Sequence, residues 1–283
     1  MSPSRKRQAI THICKVFKFS QRRACRLLGQ HRSSQRYIGL NTDKDKGLTD
    51  RILTLAELNS GYGYRKITHL LKQEGWYVNL KHVHRIWKLE GLQVKVKKKR
   101  FRPIGGSENA CHKKKAECPN DVWTYDFVYD TTMDGATLKI MPILDEYTRE
   151  CLSIIVERKI NSQRVVQEME KLFALYGLPN AVRSDNGGEY IAKSLLESMK
   201  MRGVKTLHIA PGSPWENGYS ESFIGKLRQE LLNVEIFGSL KEAQVLIEQH
   251  RKHYNEQRPH ASLGYLTPSK YAAKHRNLMV LKD

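Results

Sequence analysis

From Asp121 onward the order of local sequence patterns leaves few folds open. Val122 to Tyr129, Thr137 to Leu144 and Cys151 to Glu157 are rich in β-branched and aromatic residues, and the connectors Met133-Asp134-Gly135-Ala136 and Asp145-Glu146-Tyr147-Thr148-Arg149 read as turns. Three runs joined this closely form an antiparallel meander. The period then changes to that of a helix: Ser162 is placed to cap a helix reaching Tyr176, which Gly177 and Leu178-Pro179 stop. Ala181 to Ser184 reads as a fourth strand, Glu189 to Arg202 as a helix, Thr206 to Ala210 as a fifth strand, and a last helix opens at Asn217 as its N-cap. This succession specifies an α/β domain.

Three carboxylates stand at the ends of these elements. Asp126 lies in the first strand run, Asp185 where the fourth strand stops, and Glu221 one turn into the last helix; 58 residues separate the first two and 35 the last two. Asp and Glu oxygens drawn from two strands and a helix suit a hard divalent cation, Mg²⁺ or Mn²⁺, which keeps its other positions for water and phosphate. Two such ions about 4 Å apart activate an attacking oxygen and stabilise a leaving one in phosphodiester chemistry. Asp130, Asp145, Glu189 and Glu216 also lie near strand or loop ends, and Asp145 is the strongest rival to Asp126 because it closes the second strand. Arg228 follows Glu221 by two helical turns, hence on the same face, where a basic side chain can contact a phosphate near the metals. Gly225 within that helix costs about 1 kcal/mol relative to Ala, so packing or a ligand must support it.

Several motifs occur in a fixed order: Trp123-Thr124-Tyr125-Asp126, Ser184-Asp185-Asn186-Gly187-Gly188-Glu189-Tyr190, Ser213-Pro214-Trp215-Glu216-Asn217-Gly218-Tyr219-Ser220-Glu221-Ser222-Phe223 and Tyr254-Asn255-Glu256-Gln257-Arg258-Pro259-His260. Together they resemble the DDE transposases of the retroviral-integrase-like superfamily, and within it the downstream-frame (OrfB) products of bacterial insertion sequences. The resemblance implies a ribonuclease-H-like catalytic domain preceded by all-α helix-turn-helix regions. It implies Asp126, Asp185 and Glu221 as both catalytic residues and ligands of two Mg²⁺ or Mn²⁺ ions, and a Lys or Arg at the place of Arg228. The implied activity is metal-dependent cleavage at the element's end, then attack of the freed 3′-OH on another phosphodiester, by a copy-out, paste-in route through a circular intermediate. Its partners would be double-stranded DNA at element ends and target, further copies of the chain on DNA, and an upstream-frame protein. A nuclease of the same fold and a non-catalytic DNA-binding regulator are the alternatives.

Charge divides the chain. Residues 1–120 hold 28 Lys and Arg against 8 Asp and Glu, whereas residues 121–283 hold 21 of each, so the whole net charge of +20 lies in the first part. A basic segment joined to a neutral, motif-bearing one points to a polyanion-gripping module beside a catalytic one. Ile10, Ile13, Val16 and Phe17 follow helical spacing, Ser20 caps a helix from Gln21 to Leu28, and Gly29 ends it before a segment with Arg32, Ser33, Ser34 and Arg36. That outline fits a helix-turn-helix whose second helix contacts DNA, and equally a plain three-helix bundle. A second helical unit follows over Leu48 to Asn59, Arg65 to Glu74 and Lys81 to Glu90, with Asn79 as a cap, Gly75 and Gly91 as stops, and Arg65 and Lys66 as candidate DNA contacts. Lys97, Lys98, Lys99 and Arg100 in the basic linker are placed to track phosphates. Asn255 and Arg258 are candidate contacts from the carboxy-terminal extension.

The expected division is 1–40, 46–94, a linker 95–118, a catalytic core 119–236 and a helical extension 237–283. Five scattered cysteines without a Cys-x-x-Cys pair fit free thiols in a bacterial cytoplasm, and the Cys111, His112, Cys118 spacing does not match a zinc site. No apolar run is long enough for a membrane span, and the basic amino terminus lacks the apolar region of a secretory signal.

Overall fold

The computed structural model describes residues 3–36, 45–59, 61–92, 115–184, 196–208 and 217–280. Asp185, Glu189, Glu216 and the four basic positions from Lys97 to Arg100 lie outside them. The chain forms two compact units, Met1–Thr54 and Leu55–Asp283.

In the first unit, α1 (Pro3–Phe17), α2 (Gln21–Leu27) and α3 (Arg32–Arg36) pack about Ile10, Ala24 and Cys25, all buried. The Ser20 hydroxyl accepts from the Arg23 amide, the expected cap. α4 (Lys46–Leu58) runs from the first unit into the second. α5 (Tyr64–Gln73) and α6 (Leu80–Leu89) follow; Ile67 and Leu71 on one meet Val83, Ile86 and Trp87 on the other, all buried. The Asn79 side chain caps α6 by accepting from the Lys81 amide at 2.9 Å. Gly75 and Gly91 leave their helices at φ of +87° and +68°, a left-handed conformation that a Cβ disfavours.

The sheet belongs to the second unit. β1 (Val122–Tyr125) and β2 (Val128–Thr131) run antiparallel along one edge of β3 (Thr137–Asp145) in a single register, and β4 (Cys151–Glu157) pairs with the other edge. β5 (Ala181–Ser184) lies parallel to β1, and β6 (Lys205–His208) parallel to β5. The expected first strand is therefore one strand interrupted at Asp126-Phe127. The shared register puts Pro142, which has no N–H to donate, opposite Asp126. Beside it, the Phe127 amide turns to the Asp126 Oδ1 at 2.8 Å.

Side chains alternate across this sheet. Trp123, Tyr125, Ile143 and Val182 face α7 (Ser162–Tyr176) through Val165, Met169 and Leu172, forming one core. Val128, Leu138, Ile140 and Leu144 form the other, against Phe223 and Leu227 of α8 (Gly218–Leu227) and Ala243 and Ile247 of α9 (Leu240–Glu256). Each fully buried side chain of this size contributes about 1.5–3 kcal/mol. The cap of α7 is Asn161, whose side chain accepts from the Arg164 amide at 2.8 Å, one residue before the expected Ser162. α8 runs into a π-helical turn, Arg228–Leu232, and the described chain ends in α10 (Pro268–Val280).

Candidate active site

Strand alternation decides where Asp126 looks. Thr124, two residues earlier, faces α8, so Asp126 does too. Between them and the helix stands Asn217. Its Oδ1 accepts from the Thr124 hydroxyl at 2.8 Å, and its Nδ2 donates to the Asp126 Oδ2 at 3.2 Å. The Ser220 hydroxyl closes the network on Thr124 at 3.0 Å. Asn217 occupies the N-cap position of α8, as expected, though its side chain makes no capping bond. Thr124 on β1 and Asp126 just beyond it hold the amide instead.

Glu221 lies in the first turn of α8, where the amide-rich end of the helix favours a negative charge. It is exposed, as is Arg228, seven residues on. α8 keeps right-handed helical geometry through Arg228, at φ −62° and ψ −49°, before the π turn widens the spiral, so both residues project from one flank. A Cβ added to Gly225 on this flank would meet nothing within 4 Å. β5 ends beside the end of β1, in the register Thr124 with Arg183, and Asp185 is the residue after Ser184. Among the described residues no group of three or more His, Cys, Asp or Glu could hold a metal ion; Asp185 is not among those residues.

Asp145 is excluded as a rival by its partners. It is buried; Oδ1 accepts from the Tyr147 and Thr148 amides at 2.8 and 3.1 Å, and Oδ2 from the Asn120 amide at 2.9 Å. Burial raises its pKa against those three bonds, so it is a turn-locking residue. Asp130 accepts from the Thr131 amide on β2.

The other candidate contacts fall into two groups. Arg32, Ser33 and Arg36 on α3 and Arg65 on α5 are exposed, and Ser34 is half-buried. Lys66 is half-buried with its ammonium 4.4 Å from the Tyr62 ring, and burial followed by repulsion from Arg258 lowers it to about 8. Asn255 and Arg258 require correction. Asn255 is buried, donating to the Cys151 carbonyl at 2.8 Å and accepting from its amide at 2.9 Å, which fastens α9 to β4. Arg258 is 3% exposed and grips both oxygens of Glu230 at 2.5 to 3.1 Å. Their polar atoms are engaged inside the protein rather than presented to a ligand.

Sequence spacing pointed to Asn217 only as a cap; no local signal tells that its partners are residues 91 and 93 positions earlier. We expect Asn217→Ala to slow cleavage about 10- to 100-fold, the usual effect of losing a group that orients a metal-binding carboxylate. Thr124 and Ser220 still join β1 to α8, so the fold should survive. Single-turnover rates across a Mg²⁺ titration check this; a wild-type rate at limiting metal would remove Asn217 from the site.

Comparison with known proteins gives the family. Two models described as Integrase core domain match residues 116–214 and 202–268, and one described as HTH-like domain matches residues 42–100. The chain is 36% identical to an uncharacterized 39.2 kDa protein of insertion element IS476 from Xanthomonas euvesicatoria, over 98% of this chain and 79% of that one. It is 37% identical to an uncharacterized 31.7 kDa protein of insertion element IS407 from Burkholderia multivorans, over 91% and 92%. A transposase for insertion sequence element IS904 from Lactococcus lactis is 28% identical over 79% of this chain and 92% of its own. The mixed sheet between helical layers, the carboxylates at the ends of β1 and in α8, and relatives this similar along nearly the whole chain agree: it belongs to the insertion-sequence DDE transposases of OrfB type, with a ribonuclease-H-like integrase core and an HTH-like DNA-binding region.

Proposed function

We propose that this transposase cuts and joins DNA strands at one site made by Asp126, Asp185 and Glu221, with divalent metal ions held on their carboxylates. The observation that carries the reading is the Asn217 bridge. It ties the end of β1, beyond which Asp126 projects, to the start of the helix that carries Glu221, and the end of β1 lies next to the strand end that Asp185 follows in sequence.

The residues fit such ions. Carboxylate oxygens are the ligands that Mg²⁺ and Mn²⁺ take, and Glu221 reaches no hydrogen-bond partner among the described residues. Two divalent ions bound there would supply activation of the attacking oxygen and stabilisation of the leaving one. The chain's own part is placement. Asn217 holds the Asp126 carboxylate toward α8, and Arg228 offers a positive charge to a phosphate on the Glu221 flank. The exposed α3 residues Arg32, Ser33 and Arg36 and the exposed Arg65 present donors to DNA, and the linker's Lys97, Lys98, Lys99 and Arg100 add phosphate contacts. With all +20 of net charge in residues 1–120, binding is expected to weaken steeply with salt.

We assign DNA reading to residues 1–94, phosphate tracking to 95–118, chemistry to 119–236 and support of the core to 237–283. The chain would act in the bacterial cytoplasm as a homo-oligomer on paired element ends, alone or with the upstream-frame product. The decisive experiment incubates the full chain with labelled duplex element ends and a second duplex. Mg²⁺ or Mn²⁺ should give both nicked ends and joined products, and a chelator should remove both. Nicked ends without joined product would support the nuclease alternative; DNA binding without either product would support the regulator.

A further inference from the structure

The flank of α8 opposite Glu221 borders a concavity. Helical phase sends Ser220, Phe223 and Leu227 into the protein, Glu221 and Arg228 to one side, and Tyr219, Ser222 and Lys226 to the other. On that other side the three join Arg149, His260 and Ser262 around a cavity of about 270 Å³.

Its charge is one-sided. The Lys226 ammonium donates to the Ser222 hydroxyl at 2.6 Å and carbonyl at 2.9 Å, both neutral partners. Arg149, held at a left-handed φ of +63° that a non-glycine residue rarely adopts, lays its guanidinium 3.8 Å from the Tyr219 ring and donates to the Glu146 carbonyl. Neither cation pairs with a carboxylate among the described residues. Asp145, the one acid among the described residues of the lining, has both oxygens held by backbone amides. Glu230, the acid nearest in effect, is gripped by Arg258 through both oxygens.

The titrating groups register this field. Burial, then Lys226, Arg258, Arg149 and Lys66, push His260 down to about 3. Burial, then Arg258 and, less strongly, Arg149, lower Lys226 to about 8, with Glu230 opposing. A site with an arginine, a lysine and hydroxyls, walled by tyrosines and short of acids, suits a tetrahedral oxyanion.

We propose that this pocket binds a backbone phosphate of the DNA substrate other than the scissile one, with Lys226 and Arg149 as its charged donors. The proposal rests on the reading that the chain acts on DNA. The phosphate is a different one because the pocket and Glu221 lie on opposite flanks of a helix about 10 Å across. Gripping the DNA there would fix its position relative to the carboxylates while Arg228 serves the reacting side.

The test is acetylation of lysines in the full wild-type chain, read residue by residue by mass spectrometry, with element-end duplex, with millimolar inorganic phosphate and with neither. Lys226 should react readily alone, be protected about 10-fold by the duplex, and be little protected by inorganic phosphate. Lys226→Gln should raise Kd for the duplex about 10-fold, the loss of one charged hydrogen bond, and lower the salt slope by about 1. Lys226→Arg should restore both. Equal acetylation with and without duplex, protection by inorganic phosphate alone, or wild-type affinity and slope for Lys226→Gln would each overturn the proposal. Glu221→Gln separates the two readings: it should abolish cleavage yet keep Lys226 protected. Normal wild-type cleavage with Lys226 unprotected would sink the pocket and leave the catalytic reading intact.

Discussion

Asp126→Asn, Asp185→Asn and Glu221→Gln should each abolish cleavage and strand transfer, by at least about 10³-fold, while Kd for element-end DNA stays within about threefold. Each change keeps the size of the side chain and removes its charge. With the charge goes metal affinity, and with the metal go several kcal/mol of transition-state stabilisation. Binding should persist because the net positive charge lies in residues 1–120, far in sequence from all three. The contrast with Asn217→Ala is quantitative: that change disturbs the aim of one ligand and should leave partial activity. Asp145→Asn is the structural control, because its carboxylate accepts three backbone amides and its loss should appear as lower stability. Anisotropy on fluorescent end duplex and single-turnover cleavage with the same preparation measure both quantities. Any one of the three variants joining DNA at a near-normal rate in Mg²⁺ would have to leave the trio.

Arg258→Ala should lower the melting temperature by roughly 6–20 °C, the largest stability effect expected from one surface-type residue in this chain. Arg258 and Glu230 are buried partners, 3% and 7% exposed at their side chains, with contacts at 2.5, 2.9 and 3.1 Å. Removing the guanidinium leaves a carboxylate in a low-dielectric site, which costs about 3–5 kcal/mol, and each kcal/mol shifts the melting temperature by about 2–4 °C in a unit of this size. The guanidinium also lies 5.4 Å from the Tyr62 ring and 5.7 Å from the Tyr254 ring, so packing between the turn before α5 and the end of α9 is lost with it. Replacing both partners, Arg258→Met with Glu230→Leu, should recover most of the loss because no charge is then stranded. Calorimetry on the single and double variants decides it. An unchanged melting temperature together with weakened DNA binding by Arg258→Ala would restore the DNA-contact reading and overturn the structural one.

The sequence determined what depends on short-range order. Turn chemistry and periodicity located nearly every described element to within a residue or two, because caps such as Ser20 and Asn79 and stops such as Gly75 and Gly91 act on their immediate neighbours. Motif order marked Asp126 and Glu221 as members of one site, and the structure places them on a strand end and a helix joined through Asn217. Only the tertiary structure decided which polar groups face inward. An arginine in the Tyr254-to-His260 motif looks alike in sequence whether its partner is a phosphate or Glu230, 28 residues away, and burial alone separates the two. An asparagine before a helix looks like a cap until Thr124, 93 residues earlier, takes its side chain. The even charge of residues 121–283 likewise gave no sign of the basic pocket. Net charge is a sum along the chain, whereas a field depends on distance and burial, and folding brings Arg149, Lys226 and His260 together while backbone amides hold Asp145 and Arg258 holds Glu230.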